Sequence, residues 1–159
     1  MAAGKLTYAN SANFTLTLAS LAQAAAREST AIDNGTNAYI NALVRVQVKL
    51  QTGTPASDLT VYVYAYGSED GTNYTDNATG SDAAITLRTP PAARLLGTIP
   101  TPDSGALTYK SNPFPVARAF GGVMPRKWGI IVLNRTNIAF DTTEGNHAYS
   151  YTGVGISIA

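Results

Sequence analysis

Cysteine is absent from the 159 residues. That excludes disulfides, thiolate nucleophiles and Cys-based metal sites together. Charge is scarce as well: Asp, Glu, Lys and Arg make up 13%, about half the usual share. The surface must therefore be built largely from Thr, Ser, Asn and Gly. Histidine and tryptophan occur once each, and the formal net charge is only +1. Arg126-Lys127 is the only basic pair, whereas nucleic-acid binders carry a basic stripe or a strong basic excess. Neither nucleic acid nor an anionic membrane surface is an expected partner. The first residues, Met1 to Tyr8, lack the apolar core of a secretory signal. Nowhere is there an uncharged apolar run of bilayer-spanning length. A soluble protein made in the cytoplasm is the expectation.

What is present favours strands and turns. β-branched and small polar residues suit pleated surfaces and loops, and 45% hydrophobic residues are enough for a core. Residues 1–12 show little hydrophobic pattern and read as a flexible N-terminal arm, with Leu6 and Tyr8 as its apolar contacts. Residues 13–159 read as a single domain. Phe14, Leu16 and Leu18 alternate with Thr15 and Thr17 as in a half-buried strand. The Ala-rich stretch Ala19–Arg27 has helix propensity and reads as one turn or as part of a strand running to Ile32. Asp33-Asn34-Gly35-Thr36 signals a turn.

The longest strand is expected over Tyr39–Leu50. There Val44, Val46, Val48 and Leu50 oppose Arg45, Gln47 and Lys49, an alternation that fixes the register. In Leu59–Tyr66, Leu59, Val61, Val63 and Ala65 oppose Thr60, Tyr62, Tyr64 and Tyr66. Further strands are expected at Ile85–Leu87, Arg94–Ile99 and Ala106–Lys110. A helical turn is expected over Val116–Phe120. Trp128–Leu133 reads as a strand buried on both faces, and Tyr149–Ile158 as a last strand with a bulge near Gly153. About eight strands, without a long helix or a repeat, imply an all-β antiparallel β-sandwich, jelly-roll-like, with an immunoglobulin-type sandwich as the rival.

Catalytic signals are weak. His147 lies near Asp141, Glu144 and Ser150, but a lone histidine is more simply a loop residue that packs or hydrogen-bonds at a strand start. The loop of residues 67–82 carries Glu69, Asp70, Asp76 and Asp82. Its spacing matches no calcium-loop pattern, so a solvated turn is preferred to a metal site. Gly121-Gly122 lacks the Lys-Ser/Thr of a phosphate loop. Asn-x-Thr triplets at Asn13, Asn34, Asn73, Asn77 and Asn134 follow from composition and carry no functional weight. No enzyme activity, cofactor or metal is assigned. Tyr62, Tyr64 and Tyr66 form a stripe on one strand face. They either fill the second side of a sheet beneath a loop or form an aromatic row at a subunit contact, where Tyr is enriched.

Several motifs resemble small structural proteins of tailed bacteriophages. They are Leu18-Ala19-Ser20-Leu21-Ala22, Ala25-Ala26-Arg27-Glu28-Ser29 with Ile32-Asp33-Asn34, and Val63-Tyr64-Ala65-Tyr66-Gly67-Ser68-Glu69-Asp70-Gly71. Ala117-Arg118-Ala119-Phe120-Gly121-Gly122-Val123-Met124-Pro125, Trp128-Gly129-Ile130 and Glu144-Gly145-Asn146 join them. The resemblance covers most of the chain from Leu18 onward. It implies a β-sandwich that joins the virion, and it makes Ala24–Ile32 a strand rather than a helix. The expected role is a capsid decoration, or cement, protein. Its expected partners are the major capsid protein or other virion subunits, and it is expected to act as a homo-oligomer, with a trimer favoured. A tail, baseplate or connector component is the nearest alternative. A carbohydrate- or receptor-binding module is the alternative from another class, and would need Tyr62, Tyr64 or Trp128 exposed. Trp128, beside the run Ile130–Leu133, is expected to be buried. An arm of about 12 residues could reach ~40 Å when extended and add a strand to a neighbour's sheet.

Overall fold

The computed structural model describes residues 4–56 and 58–158. The described residues form twelve strands, one α-helical turn and two short 3-10 turns. In chain order the strands and the α-helical turn are β1 (Gly4–Tyr8), β2 (Ala12–Asn13), β3 (Ala26–Glu28), β4 (Ile32–Asp33), α1 (Asn34–Asn37), β5 (Asn41–Lys49), β6 (Thr60–Ser68), β7 (Ala83–Ile85), β8 (Arg94–Pro100), β9 (Thr108–Lys110), β10 (Phe114–Pro115), β11 (Lys127–Arg135) and β12 (Ala148–Ile158). One sheet runs β1-β12-β5-β10, with β2 also on β12 and β9 also on β5. The other runs β7-β3-β11-β6-β8, with β4 also on β11. The pairings are antiparallel throughout. The chain is an all-β antiparallel sandwich, and the count exceeds eight because the short strands β1, β2, β3, β4 and β10 add to the expected set, from which Phe14–Leu18 drops out.

The alternation in the sequence sets the two inner faces. Val44, Val46, Val48 and Leu50 pack against Val61, Val63, Ile130 and Val132, with Trp128 wholly buried among them. The rings of Phe14 and Tyr151 stand edge-on or tilted to one another and to Trp128, with centroids 5.1–5.6 Å apart. Such pairings add about 0.5–1.5 kcal/mol beyond area burial.

Phe14, Leu16 and Leu18 are buried and Thr15 and Thr17 exposed, as their alternation implies. The segment is nevertheless not a strand of either sheet. Its backbone bonds are spread over separate partners: Phe14 donates to Tyr149, Thr15 accepts from Thr30, and Leu18 and Ala19 donate to the Glu144 carboxylate. The Ala-rich stretch does not form a helix either. Ser20 and Ala24 sit at positive φ, which interrupts helical geometry, and β3 begins at Ala26. The expected turn after Ile32 is present as α1, where the Asp33 side chain accepts from the N–H groups of Gly35 and Thr36. Ala117–Phe120 forms the expected helical turn, as a 3-10 helix.

Two further expectations are corrected. β12 pairs with β5 in unbroken register from Ala148↔Gln47 to Val154↔Asn41, without a bulge at Gly153. Gly153 instead leaves room for the Tyr39 ring, which a Cβ there would overlap. The register shift in the long strands falls between Val63 and Tyr64, where β6 meets β8. The N-terminal arm is not free over its described length. Gly4–Tyr8 pairs with β12, Gly4 opposite Ile158 and Tyr8 opposite Val154. Residues 1–3 of the expected arm lie outside the described residues.

Candidate interaction surfaces

His147 is buried at the start of β12, and both its ring nitrogens are engaged. Nδ1 accepts the Lys49 N–H at 3.3 Å, and Nε2 lies 3.1 Å from the Asp141 carbonyl. The ring leans on Phe140 with centroids 5.8 Å apart. Both ring nitrogens thus face the chain's own backbone.

The carboxylates are occupied by their own backbone. Glu144 accepts from the N–H groups of Leu18 and Ala19 and from the Tyr149 hydroxyl. Burial opposes its charge, but the Tyr149 hydroxyl and the two N–H groups outweigh burial and hold its pKa below the ordinary value. The same pair, after burial itself, pushes the Tyr149 phenol up. Asp141 is lowered to about 2, chiefly by the Asn146 side chain and the Thr143 N–H. The Glu144-Gly145-Asn146 motif is thus a clamp. It ties the extended Leu18–Ala19 segment to β12.

The polar loop of residues 67–82 and the stretch that follows it to residue 93, apart from the edge strand β7, form a roof over the outer face of the second sheet. Beneath it Tyr66, Ile131, Ala26, Ile85 and Ala93 form a smaller buried cluster. Three acids fasten it. Glu28, fully buried, accepts from the N–H groups of Thr79 and Gly80 and from the Thr79 hydroxyl. Asp76 accepts from the N–H groups of Arg88, Ala92 and Ala93. Asp82 accepts from Thr17 and pairs with Arg27 at 2.6 Å. For both aspartates burial opposes the charge, and these hydrogen bonds overcome it, lowering the pKa. Asp70 serves Thr72 and Asn73 within its own turn. Among the described residues there is no group of three His, Asp or Glu side chains placed to hold a metal ion.

The tyrosine stripe divides. Tyr66 is fully buried, its ring over Gly129 and its hydroxyl donating to the Ser29 carbonyl. Burial first, then the nearby Glu28 charge, raises its pKa. Tyr66 is therefore a core residue and cannot form part of an exposed contact row. The expected row shrinks to Tyr62 and Tyr64, half-buried and stacked with centroids 6.3 Å apart. Tyr64 lines an open groove of about 510 Å³ together with Ile85, Arg88, Leu133 and Arg135. Trp128 is buried, as expected.

Leu6 and Tyr8 sit elsewhere, on β1. β1 meets only the far half of β12, beyond the point where β5 begins at Asn41 opposite Val154. The two strands form a two-stranded ribbon at the end of the first sheet. Residues directly opposite in an antiparallel pair project to the same side. The register therefore gathers Leu6, Tyr8, Val154, Ile156 and Ile158 on one face, and Lys5, Thr7, Gly155 and Ser157 on the other. Only Val154 of the apolar set is covered: Leu6 is 54%, Tyr8 64%, Ile156 59% and Ile158 80% exposed. The sequence reading identified Leu6 and Tyr8 but missed Ile156 and Ile158. Alternation at the end of β12 was the available signal. Its meaning depended on a pairing with residues about 150 positions away.

Comparison with protein-family models, with curated proteins and with solved structures finds no match to this chain.

Proposed function

We propose that this chain is a non-enzymatic structural subunit of a tailed-phage virion, acting first as a decoration protein on the assembled head. The observation that carries the reading is the uncharged apolar face of the terminal ribbon. A lone two-stranded ribbon is marginally stable in water, and an apolar patch rimmed by polar residues marks a contact with another protein. The rest of the surface is consistent with that role. It carries few charges, and the single histidine and the buried acids hold the chain's own backbone. The resemblance of the motifs from Leu18 onward to phage structural proteins supplies the particle, with the major capsid protein or other virion subunits as the partners. A subunit that binds only the assembled shell stabilises it by mass action, and many copies on a symmetric lattice multiply a weak contact.

Quantitative mass spectrometry of purified particles tests this. A copy number close to that of the major capsid subunit supports decoration of the shell. A small ratio moves the protein to the tail, baseplate or connector. Absence from the particle overturns the proposal.

One observation favours a second reading, a carbohydrate-binding module: the stacked Tyr62–Tyr64 pair beside the groove with Arg88 and Arg135. A glycan array would show binding lost in Tyr64→Ser if that reading holds, and no binding if it does not.

A further inference from the structure

The free edge of β1 is the second feature of the ribbon, independent of its apolar face. Ala9 donates its N–H to the Gly153 carbonyl at 2.9 Å, and the same register continues through Thr7↔Gly155 and Lys5↔Ser157. Hydrogen-bonded and non-hydrogen-bonded pairs alternate along an antiparallel ladder. Lys5 and Thr7 therefore turn their backbone groups toward β12. Gly4, Leu6 and Tyr8 turn theirs outward, to the edge where β1 ends the sheet. Sheet edges are normally blunted by proline, a bulge or charge on the exposed side. β1 has no proline and no bulge, and its one charge, Lys5, lies on the polar face.

We infer that β1 pairs antiparallel with β1 of a second copy of this chain, about a two-fold axis at Leu6. The inference rests on the reading of the ribbon as an assembly surface and gives its free edge an occupant. In this register Leu6 faces the partner's Leu6, and Gly4 faces the partner's Tyr8. All three outward-turned residues of each strand then meet their counterparts, giving about six hydrogen bonds. The side chains agree with the backbone. Ile156, Leu6, the partner's Leu6 and the partner's Ile156 form one continuous apolar row. Gly4, having no side chain, leaves the partner's Tyr8 ring room to lie across the strand toward Ile158. On the polar face Lys5 stands opposite the partner's Thr7, so the two lysines do not confront each other. A slip of two residues toward the N-terminus would set Lys5 against the partner's Lys5. The result is a four-stranded sheet in place of two marginal ribbons. Pairing at the edge joins the two apolar faces, on which Leu6, Tyr8, Ile156 and Ile158 are each more than half exposed, into one continuous surface, and the contact itself is the backbone ladder with the flanks of Leu6 and Tyr8.

The symmetry is two-fold, in place of the threefold arrangement the phage resemblance leads one to expect. Sedimentation velocity over a range of concentrations should show a dimer. Leu6→Pro should return it to monomer, with the melting temperature that the parent shows when diluted to monomer, because the Leu6 N–H points outward and makes no bond to β12. The chain has no cysteine, so single-cysteine variants report the register directly. Hydrogen-bonded antiparallel neighbours lie about 5.5 Å apart at Cα, within disulfide range. Leu6→Cys should therefore cross-link two copies under mild oxidation, while Tyr8→Cys alone should not. A monomer or a trimer in solution overturns the pairing, as does Tyr8→Cys linking as readily as Leu6→Cys. Particle copy number separates this from the phage assignment. A dimer absent from particles would sink the assignment and leave the pairing; a monomer abundant in particles would do the reverse.

Discussion

β11 and the end of β12 are both apolar, β-prone runs, yet they meet opposite fates. Trp128 to Val132 are all buried, whereas Ile156 and Ile158 are more than half exposed. Hydrophobicity does not separate them. β11 has the sandwich core on one side and the 67–93 roof on the other, with β6, β3 and β4 along its edges. Among the described residues the far half of β12 has a single neighbour, β1. Burial follows from how many layers the topology stacks on a strand. A run left short of layers marks where another molecule belongs.

The largest effect should come from removing the centre of the buried strand. Trp128→Ala empties a site shared with Phe14 and Tyr151, and is expected to cost about 3–5 kcal/mol, read from urea unfolding. A loss below about 1 kcal/mol would mean that the sandwich layers do not enclose β11 as described. Next comes the roof. Glu28→Ala removes the buried carboxylate that the N–H groups of Thr79 and Gly80 share and should cost about 1.5–3 kcal/mol. Hydrogen exchange should rise in residues 67–93 and stay low in β5. Uniform loosening of both would show that the roof is not a separate layer.

The sequence made the inner layers legible and hid the outer ones. Val44 to Leu50 and Val61 to Ala65 announce their faces by strict alternation, and the continuous run after Trp128 announces two-sided burial. What covers the second side is not readable, because the roof is made of Asn, Asp, Gly and Thr and looks like a solvated loop. Its apolar contribution is a few spaced residues such as Ile85 and Ala93, and its fastening is by acids 12 to 65 positions away from the N–H groups they hold. Phe14–Leu18 misleads in the other sense. Its alternation is real, but its hydrogen bonds go to Tyr149, Thr30 and Glu144, so burial period and ladder membership come apart. The ribbon is hidden for the simplest reason. Local pattern cannot pair Gly4 with Ile158.

The Glu144 clamp should give an intermediate effect with a pH signature. Its folded pKa is depressed, so its contribution is fully present above the unfolded value of about 4.3 and is lost as pH falls through the folded value. Asp76, Asp82 and Asp141 are shifted in the same direction. The melting temperature should therefore fall steadily from about pH 5 downward. Glu144→Gln should cost about 1–2 kcal/mol at neutral pH and flatten part of that acid slope. A variant whose slope matches the parent chain would remove Glu144 from the account.

The smallest effect on stability should come from the ribbon, and there the contrast with β11 is sharpest. Ile156→Thr keeps a β-branched residue at a position 59% exposed in the isolated chain, so its unfolding free energy should change by no more than about 0.5 kcal/mol. Trp128→Ala should be severalfold larger. Self-association should invert the order, because Ile156 lies in the row that Leu6 carries across the proposed two-fold. Sedimentation of Ile156→Thr should show a weakened dimer in a chain that unfolds like its parent. If Ile156→Thr instead destabilises the fold as Trp128→Ala does, the ribbon face is covered within the chain, and the layer argument fails where it matters most. If it changes neither stability nor association, the apolar row is not a contact and only the β1 edge would remain to draw two copies together.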